Sequence, residues 1–564
     1  MKFQDFEYKR PNIEEVEIAF QRALQVFKEA ETVEAQSEAI NKINQIRADF
    51  GTMSTICSVR HSINTEDEFY KVEQDYMDEI EPVFEGFIHQ YYTALVSSPF
   101  RKQLEEKWGK QLFDLAEAQL KTYSPEIVED LQLENKLSSD YTKLVASAKI
   151  LFEGEERTLA QLEPFMQSTD RDMRKKAAEA RFQFFAENEE AFDQIYDDLV
   201  KVRTKIATTL GYQNFVELGY ARMARTDYNA DMVKKFRKQV LDFIVPLASK
   251  LKERQRTRIG VESLTYYDDP FEFKTGNATP KGSPEWIIEN GQKMYEELSP
   301  ETNEFFQFMI DYNLMDLVAK KGKASGGYCT FIENHQSPYI FSNFNGTSGD
   351  IDVLTHEAGH AFQVYCSRHF DVPEYSWPTY EAAEIHSMSM EYFTWPWMEL
   401  FFKEDTEKYK FSHLSSGLLF LPYGVSVDEF QHFVYENPDA TPRERKEAWR
   451  QIEKKYTPWK EYDGNEYLEN GGFWQRQSHI YNVPFYYIDY TLAQICAFQF
   501  WKKDRENHEE AWNDYLHLCK LGGSQSFVGL VKEANLLSPF EDGCVESVVG
   551  EIEQYLNSID DKKL

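Results

Sequence analysis

The chain has 564 residues, and its 62 Lys and Arg residues against 96 Asp and Glu residues give a formal net charge of −34. A charge of this size repels the phosphate backbone of nucleic acids and anionic membrane surfaces, so neither a nucleic acid nor a membrane is expected as a partner. Hydrophobic residues make up 42% and charged residues 28% of the sequence, which is typical of a soluble globular protein with one large core or two lobes, rather than of a disordered chain.

The sequence gives no sign of export or of membrane insertion. No segment reaches the roughly 18 consecutive apolar residues that a membrane-spanning helix needs, and charged residues interrupt the first ten positions, unlike in a secretory signal. Six cysteines are scattered without a CxxC pair, which favours reduced thiols over a disulfide framework. We therefore expect a cytoplasmic protein.

The first part of the chain has the periodicity of amphipathic helices. Asn12 and Glu15 have the spacing of a capping box. The apolar residues that follow recur at helical intervals, at Val16, Phe20, Leu24 and Phe27. Similar patterns continue downstream, and they predict an N-terminal helical lobe over residues 1–190.

A β-favouring segment interrupts the helical pattern later in the chain. Residues Tyr328–Ile332 and Tyr339–Phe344 are β-favouring clusters bounded by Gly, Asn, Ser and Pro. They predict a short sheet in an otherwise helical protein. An edge of such a sheet can bind an extended peptide backbone, but the sheet can equally serve only to brace the helices, and the sequence leaves both interpretations open.

The segment DIDVLTHEAGHAFQVY contains His356, Glu357 and His360 in an HExxH motif with helical periodicity. Two histidines four residues apart lie on one face of a helix, about 5–6 Å from each other, where both imidazoles can bind one metal ion. Glu357 lies beside that face, near enough to act on a water molecule at the metal. The motif therefore predicts a catalytic zinc site.

A catalytic zinc takes three protein ligands and keeps one position open. A third histidine in the metzincin pattern would fall at position 366, which holds Cys366, so that class is excluded. The other common solution is a glutamate on a following helix, and the segment TYEAAEIHSMSMEYF offers Glu381, Glu384 and Glu391. Spacing alone does not choose among these three.

Several further segments occur in a fixed order around the motif. They are GGYCTF (326–331), HEAGH (356–360), EIHSMSME (384–391), LPYGVSVDEFQHFVYENP (421–438) and HIYNVPFYYIDY (479–490). The ordered set resembles the oligoendopeptidase F and Pz-peptidase branch of the thimet-oligopeptidase-like zinc metallopeptidases. In that family the third zinc ligand is the Glu that opens an ExxSxxxE stretch, which matches Glu384, with Ser387 and Glu391 at the family's offsets.

The resemblance implies a mainly α fold, with two helical lobes around a deep substrate channel and a small β-sheet next to the zinc-binding helix. It also implies one Zn²⁺ per chain, held by His356, His360 and Glu384 in a catalytic metallopeptidase region over residues 191–564. The implied activity is that of a zinc-dependent endopeptidase, which hydrolyses internal peptide bonds of short unfolded oligopeptides and is limited in substrate size by the channel.

Catalytic roles follow from the same resemblance. Glu357 is the general base that accepts a proton from the attacking water and delivers it to the leaving amine. The oxyanion of the tetrahedral intermediate needs hydrogen-bond donors besides the metal. Similar enzymes supply them from the segment that here holds His479, Tyr486, Tyr487 and Tyr490, and among the tyrosines we favour Tyr490.

Outer partners are expected to orient the imidazoles that bind the metal. The candidates are Asp352, Glu381, Ser387 and Glu391. Each of these side chains can equally be a surface group, and the sequence does not choose among them.

Three other functions fit parts of the pattern. A di-iron carboxylate oxidoreductase uses two ExxH motifs, and Glu357–His360 and Glu429–His432 are two such motifs, although His356 then has no role. A dipeptidyl carboxypeptidase of similar fold is an exopeptidase rather than an endopeptidase. A peptide-binding scaffold would make no use of the motif at all. The sequence is also compatible with a homo-oligomer.

Overall fold

The computed structural model describes residues 1–320, 323–324, 326–344 and 346–564. Helices account for most of these residues and two small sheets for a few, so the prediction of a mainly α fold is confirmed. None of the described helices combines the length and the apolar character needed to cross a bilayer. The boundary at residue 190 and the substrate channel stay predictions.

The N-terminal part of the chain is helical, as predicted. Its helices are α1 (Ile13–Glu29), α2 (Val33–Ile63), α3 (Glu68–Val96), α4 (Arg101–Trp108), α5 (Lys110–Leu120) and α6 (Val128–Ala146). Helix α1 begins where the capping pattern predicts, because the Asn12 side chain accepts hydrogen bonds from the N–H groups of Glu14 and Glu15. Of the predicted apolar stripe of α1, Phe20, Leu24 and Phe27 are buried in a core shared with α2, α3 and α5, and Val16 packs partly buried against it.

The loop over residues 368–379, which follows the HExxH motif, is built into this N-terminal core. Tyr375 is buried among its apolar side chains, and its hydroxyl donates a hydrogen bond to the carbonyl of Trp108 at 2.8 Å. The carboxylate of Glu374 pairs with Arg47 at 2.7 Å. Through this loop the N-terminal helices contact the part of the chain that carries the motif.

The middle of the chain continues with a hairpin and further helices. They are β1 (Ile150–Phe152), β2 (Glu155–Arg157), α7 (Glu163–Met166), α8 (Arg171–Glu187), α9 (Glu189–Thr209), α10 (Phe215–Arg222), α11 (Ala230–Gln239), α12 (Val245–Ile259), α13 (Pro284–Leu298) and α14 (Pro300–Asp311). A π-helical turn over Val240–Ile244 joins α11 to α12.

The predicted sheet is present and has three strands. They are β3 (Met315–Val318), β4 (Tyr328–Ile332) and β5 (Ser337–Phe344), in the spatial order β3-β5-β4, with β3 parallel and β4 antiparallel to β5. Strand β4 has the predicted bounds, and β5 begins two residues before the predicted strand. Within the described part of the chain β4 pairs with β5 on one side and with no strand on the other, so it forms an edge of the sheet.

The C-terminal helices carry the motifs. They are α15 (Gly349–Ser367), α16 (Tyr380–Phe393), α17 (Glu399–Phe402), α18 (Thr406–Glu436), α19 (Pro442–Tyr456), α20 (Glu466–Glu469), α21 (Ser478–Asn482), α22 (Tyr487–Glu506), α23 (His508–Leu521), α24 (Phe527–Glu533) and α25 (Cys544–Asn557). Helix α15, with the HExxH motif, packs on β4 and β5 on one side and on α16 on another, and α16 packs against α22. The small sheet therefore lies next to the HExxH helix, as predicted.

Candidate metal-binding active site

Three ligand-type side chains converge between α15 and α16. His356 and His360 lie one turn apart on α15, with ring centroids 5.0 Å from each other. The Oε2 atom of Glu384, on α16, lies 3.3 Å from Nε2 of His356 and 3.7 Å from Nε2 of His360. Among the described residues, these three form the group of His, Cys, Asp and Glu side chains whose ligand atoms lie close enough to hold one metal ion, within 4.8 Å of one another.

Gly359, inside the HExxH motif, explains why the two helices can come so close. A Cβ atom at this position would lie 2.7 Å from the carbonyl oxygen of His386 and 2.7 Å from the Cα atom of Ser387, both on α16. Only a residue without a side chain fits against the neighbouring backbone at that distance. The glycine therefore brings α16, and with it Glu384, to the face of α15 that holds the histidines.

The chemistry of this donor set fits zinc. Two imidazole nitrogens and one carboxylate oxygen are common ligands of a catalytic zinc, which keeps a fourth position open. Burial lowers the pKa of His360 to about 4, so this imidazole is neutral at physiological pH. Burial raises the pKa of Glu384, but hydrogen bonding from His356 and the charges of His360 and His356, both protonated in the acidic range where this carboxyl titrates, outweigh that effect and lower its pKa to about 2. A neutral imidazole and an ionised carboxylate are the forms that bind a cation.

A carboxylate binds the imidazole nitrogen of His356 that faces away from Glu384. The Nδ1 atom of His356 lies 2.7 Å from Oε1 of Glu391, whose Oε2 atom lies 2.6 Å from Nε2 of His413, on α18. The indole N–H of Trp395 donates to Nδ1 of His413 at 3.0 Å. The pKa of His413 is raised overall, because burial lowers it but the hydrogen bond and the charge of Glu391 outweigh that effect. The hydrogen bond from Trp395 acts in the opposite direction: it favours the neutral ring, since it uses Nδ1 as an acceptor.

The other candidates for outer partners have different positions. Ser387 donates to Oε2 of Glu384 at 3.1 Å. Asp352 accepts a hydrogen bond from the hydroxyl of Tyr409 at 2.6 Å. Glu381 does not belong to the metal-binding group. It is buried near Asp489, and burial raises its pKa to about 8.

Glu357 lies between the metal-binding group and the sheet. Its side chain is 8% exposed, and its Oε1 atom is 3.9 Å from the position that a Cβ atom on Gly327, just before β4, would occupy. Burial raises the pKa of this carboxyl to about 7, against the opposing charge of His356. A carboxylate with a pKa near neutrality is suited to accept a proton and to release it again.

The segment from His479 to Tyr490 forms a second wall of the site. The Tyr486 hydroxyl donates to Oε1 of Glu384 at 3.3 Å. The ring of Tyr490 lies 4.9 Å from that of Tyr486 and 5.8 Å from that of His479. The ring of Tyr487 packs against Tyr423 at 5.8 Å. Burial raises the pKa of Tyr490 to about 12, so its hydroxyl keeps its proton and can donate a hydrogen bond.

The orientation of His479 is set by two neighbours. The Tyr423 hydroxyl donates a hydrogen bond to Oε1 of Gln477 at 2.7 Å. The amide nitrogen Nε2 of Gln477 in turn lies 2.8 Å from Nδ1 of His479. Because Nδ1 accepts the amide hydrogen, the proton of a neutral imidazole resides on Nε2. Burial lowers the pKa of His479 and so favours this neutral, donating form.

A strained turn connects α21 to α22 and places the tyrosines. Phe485 has a φ of 68°, a left-handed conformation that costs free energy for a non-glycine residue and that persists only where the surroundings enforce it. Its N–H donates to the Gln431 side chain at 2.9 Å, and its carbonyl accepts a hydrogen bond from Arg225. Its ring fills a space at Gly219, where a Cβ atom would lie 2.5 Å from the ring.

Sequence reasoning missed these supporting residues. Trp395, His413, Gln477, Arg225 and Gly219 carry no motif, and all but Gln477 are separated in sequence from the side chain they support. Only Gln477 offered a local signal, because it is a polar residue two positions before His479.

The second ExxH motif does not meet the first. The carboxylate of Glu429 accepts hydrogen bonds from Lys455, at 3.0 and 2.9 Å, and from Tyr456. Nε2 of His432 lies 3.0 Å from the hydroxyl of Tyr220. Neither residue belongs to the metal-binding group found among the described residues, so the di-iron alternative is wrong: its two motifs lie in different environments.

Comparisons with known proteins cover nearly the whole chain. The profile of peptidase family M3 matches residues 164–549, and that of the peptidase M3 N-terminal domain matches residues 3–123. A solved structure of PZ peptidase A with an inhibitor is 73% identical to this chain, with a TM-score of 0.94 and 100% of both chains covered. A solved structure of a putative oligoendopeptidase F is 66% identical, with the same TM-score and coverage.

A more distant relative has a shorter match. An oligoendopeptidase F homologue from Borreliella burgdorferi is 25% identical over 375 residues, which cover 64% of this chain and 61% of that protein. The chain thus matches less than two thirds of the length of this relative, whereas it covers both solved structures completely.

Proposed function

Because the chain belongs to peptidase family M3, we propose that it is a zinc-dependent endopeptidase that cleaves internal peptide bonds of short unfolded oligopeptides. One observation carries the proposal: His356, His360 and Glu384 converge on one point, and the buried carboxyl of Glu357 lies beside them. The names of the similar proteins, an oligoendopeptidase F and a PZ peptidase, support oligopeptides as the substrate class.

Zinc is the metal that this donor set favours. His356, His360 and Glu384 would hold a zinc ion, and the bound ion would supply a Lewis acid able to polarise a carbonyl and to lower the pKa of a water molecule. The protein contributes the orientation of its ligands and a largely buried surrounding, since the side chains of His360 and Glu384 are 13% and 9% exposed.

Glu357 is the general base in this proposal. Its carboxylate takes a proton from the water that attacks the scissile carbonyl, and the resulting carboxyl gives the proton to the leaving amine. The pKa of about 7 in the metal-free protein supports this role, because burial makes this carboxylate a stronger base than an ordinary glutamate.

His479 and Tyr490 are the donors that we assign to the oxyanion of the tetrahedral intermediate. The Gln477 amide occupies Nδ1 of His479, so the N–H of the neutral imidazole is on Nε2, and the Tyr490 ring lies 5.8 Å from that of His479. The Tyr486 hydroxyl already donates to Glu384, so we assign Tyr486 to positioning that ligand. Preorganised donors of this kind stabilise developing negative charge more strongly than water does.

The unpaired edge of β4 supports a mode of substrate binding. An extended peptide can add to this edge and form main-chain hydrogen bonds without regard to its side chains. Gly327, which directly precedes β4, lies close to Glu357: a Cβ atom on this glycine would be 3.9 Å from Oε1 of Glu357. A peptide on this edge would therefore present its backbone to the general base. A channel that limits substrate size belongs to this proposal as well.

The test is digestion of fluorescence-quenched peptides blocked at both ends. We expect the wild-type protein to cut them internally, to lose activity with a chelator, and to regain it with zinc. Replacing Glu357 by Gln should lower kcat by on the order of 10²–10⁴-fold, the contribution of a general acid–base residue. The matched control is Glu289→Gln on α13, which removes the same charge from an exposed site and should leave kcat unchanged.

Two results would contradict the proposal. Internal cleavage that survives in Glu357→Gln removes the assigned general base. Cleavage that requires a free C-terminus, and releases dipeptides, favours the dipeptidyl carboxypeptidase alternative instead.

Cytoplasmic residence is a further part of the proposal. It is supported by the six cysteines, which form no disulfide bond among the described residues, since reduced thiols persist in reducing compartments. Cell fractionation with an antibody against the protein tests it.

A further inference from the structure

A chain of hydrogen bonds leads from His356 away from the metal-binding group and ends at an indole. His356, Glu391, His413 and Trp395 follow one another with separations of 2.7, 2.6 and 3.0 Å. The four residues come from α15, α16, α18 and the short turn after α16. Helices that are distant in sequence therefore meet in one connected polar network.

The direction of every bond in this network follows from its last member. An indole N–H can only donate, so Nδ1 of His413 is an acceptor and the proton of the neutral ring lies on Nε2. That N–H donates to Oε2 of Glu391. The other oxygen of the carboxylate then accepts the Nδ1–H of His356. In the neutral imidazole, which is the form that binds a cation, the lone pair then lies on Nε2, the atom that faces Glu384.

We propose that Trp395 and His413 are positioning residues that fix the tautomer and the orientation of His356 and thereby strengthen the binding of the catalytic cation. The inference rests on the zinc site proposed above. Neither residue touches the cation or the substrate in this proposal; both act through Glu391 and His356.

The surroundings make the network rigid. The side chains of Glu391 and His413 are 15% and 10% exposed, so their hydrogen bonds form in a medium of low dielectric constant, where they are stronger than in water. The His413 ring also stacks on the ring of Tyr409, at 5.4 Å and 12°. Tyr409 in turn is held by its hydrogen bond to Asp352.

The two histidine ligands differ in this respect. Nδ1 of His360 is buried and has no hydrogen-bond partner among the described residues. Of the two imidazoles, His356 is therefore the one whose Nδ1 atom is held by a hydrogen bond. Loss of the outer members of this network is expected to change the affinity for the cation even though the ligands themselves are intact.

The test is a comparison of two tryptophan variants in the full-length protein. Trp395→Phe removes the indole N–H that ends the network. Trp501→Phe is the matched control, because Trp501 is also buried, its ring lies 6.2 Å from that of Trp395, and its Nε1 has no partner among the described residues. The dissociation constant for zinc is measured by competition with a chromophoric chelator, and thermal unfolding of the metal-free proteins reports the packing change that both variants share.

We expect Trp395→Phe to weaken zinc binding by about 10-fold, the lower end of the effect of outer-shell partners, and Trp501→Phe to leave it unchanged. His413→Leu should weaken zinc binding at least as much. In a double variant, Trp395→Phe should add nothing to the loss caused by His413→Leu, because the indole acts only through His413. His413→Leu alone tests the inference if Trp395→Phe does not fold.

The inference is overturned if zinc binds Trp395→Phe and Trp501→Phe equally well, if the losses of Trp395→Phe and His413→Leu add, or if the wild-type protein binds no zinc. Failure of the proposed function has a different signature. A wild-type protein that binds zinc, shows the expected differences in affinity and cuts no peptide refutes the peptidase proposal and leaves the positioning role intact.

Discussion

The two walls of the candidate site are built in different ways. The wall that holds the metal-binding group consists of two long helices, α15 and α16, which are brought together at Gly359. The wall that holds His479 and Tyr490 consists of the short helix α21, a left-handed residue and the first turn of α22. The first wall depends on helical spacing, and the second on contacts from distant parts of the chain. Disturbances of the second wall should therefore change catalysis while the metal stays bound.

The largest effect that sharpens this comparison is expected from Tyr490→Phe. The variant removes the hydroxyl assigned to the oxyanion, which should lower kcat by on the order of 10²–10³-fold with little change in KM. Zinc affinity should stay at the wild-type value, because Tyr490 is outside the metal-binding group. Steady-state kinetics with a quenched peptide and chelator competition measure the two quantities.

The matched control for Tyr490→Phe is Tyr295→Phe on α13. The Tyr295 hydroxyl is buried and has no hydrogen-bond partner among the described residues. This variant therefore loses the same atom at a residue that is not among the candidate catalytic or metal-binding groups, and it should keep its kcat. A wild-type kcat in Tyr490→Phe would mean that another donor stabilises the oxyanion.

A smaller effect is expected from Gly219→Ala. The new Cβ atom would lie 2.5 Å from the Phe485 ring, so the strained turn must shift and carry Tyr490 with it. A displacement of about 1 Å in a catalytic group can cost about 10²-fold in rate, so we expect a fall in kcat of up to this size. Zinc affinity should change much less, because the Tyr486 hydroxyl is only one of the hydrogen-bond partners of Glu384. Kinetics and chelator competition again separate the two.

Gly550→Ala, on α25, is the control for Gly219→Ala. A Cβ atom at Gly550 meets nothing within 4 Å, and alanine is more favourable than glycine in a helix by roughly 1 kcal/mol, so this variant should be active and no less stable than the wild type. If Gly219→Ala instead lost zinc, the two walls would not be independent and the comparison would fail.

The smallest effect concerns pH. Glu357 acts as a base, so the carboxylate is the active form and kcat/KM should fall as pH drops through its pKa, by about tenfold per pH unit well below it. Burial raises this pKa to about 7 in the metal-free protein, and a bound cation lowers it, so the acidic limb should lie at or below pH 7. A pH profile of kcat/KM measures it; a limb clearly above pH 7 would point to a different group.

Some elements of the fold follow from short stretches of sequence. The Asn12 cap and the buried stripe of α1 were predicted because both depend on residues within one or two turns. The bounds of β4 were predicted because Gly and Asn flank a β-favouring run. The bounds of the lobes were not testable in this way, since one large apolar core contains side chains from both predicted regions.

The sequence by itself determined that His356 and His360 share a helix face with Glu357 beside them, because the helical repeat acts over four residues. Tertiary structure decided the rest. It brings the carboxylate of Glu384 to the two Nε2 atoms, and that of Glu391 to Nδ1 of His356. The physical reason is that packing between helices depends on complementary shapes and on hydrogen bonds between residues distant in sequence. The close contact at Gly359, which has no Cβ atom, is an example. A local periodicity carries no information about such contacts.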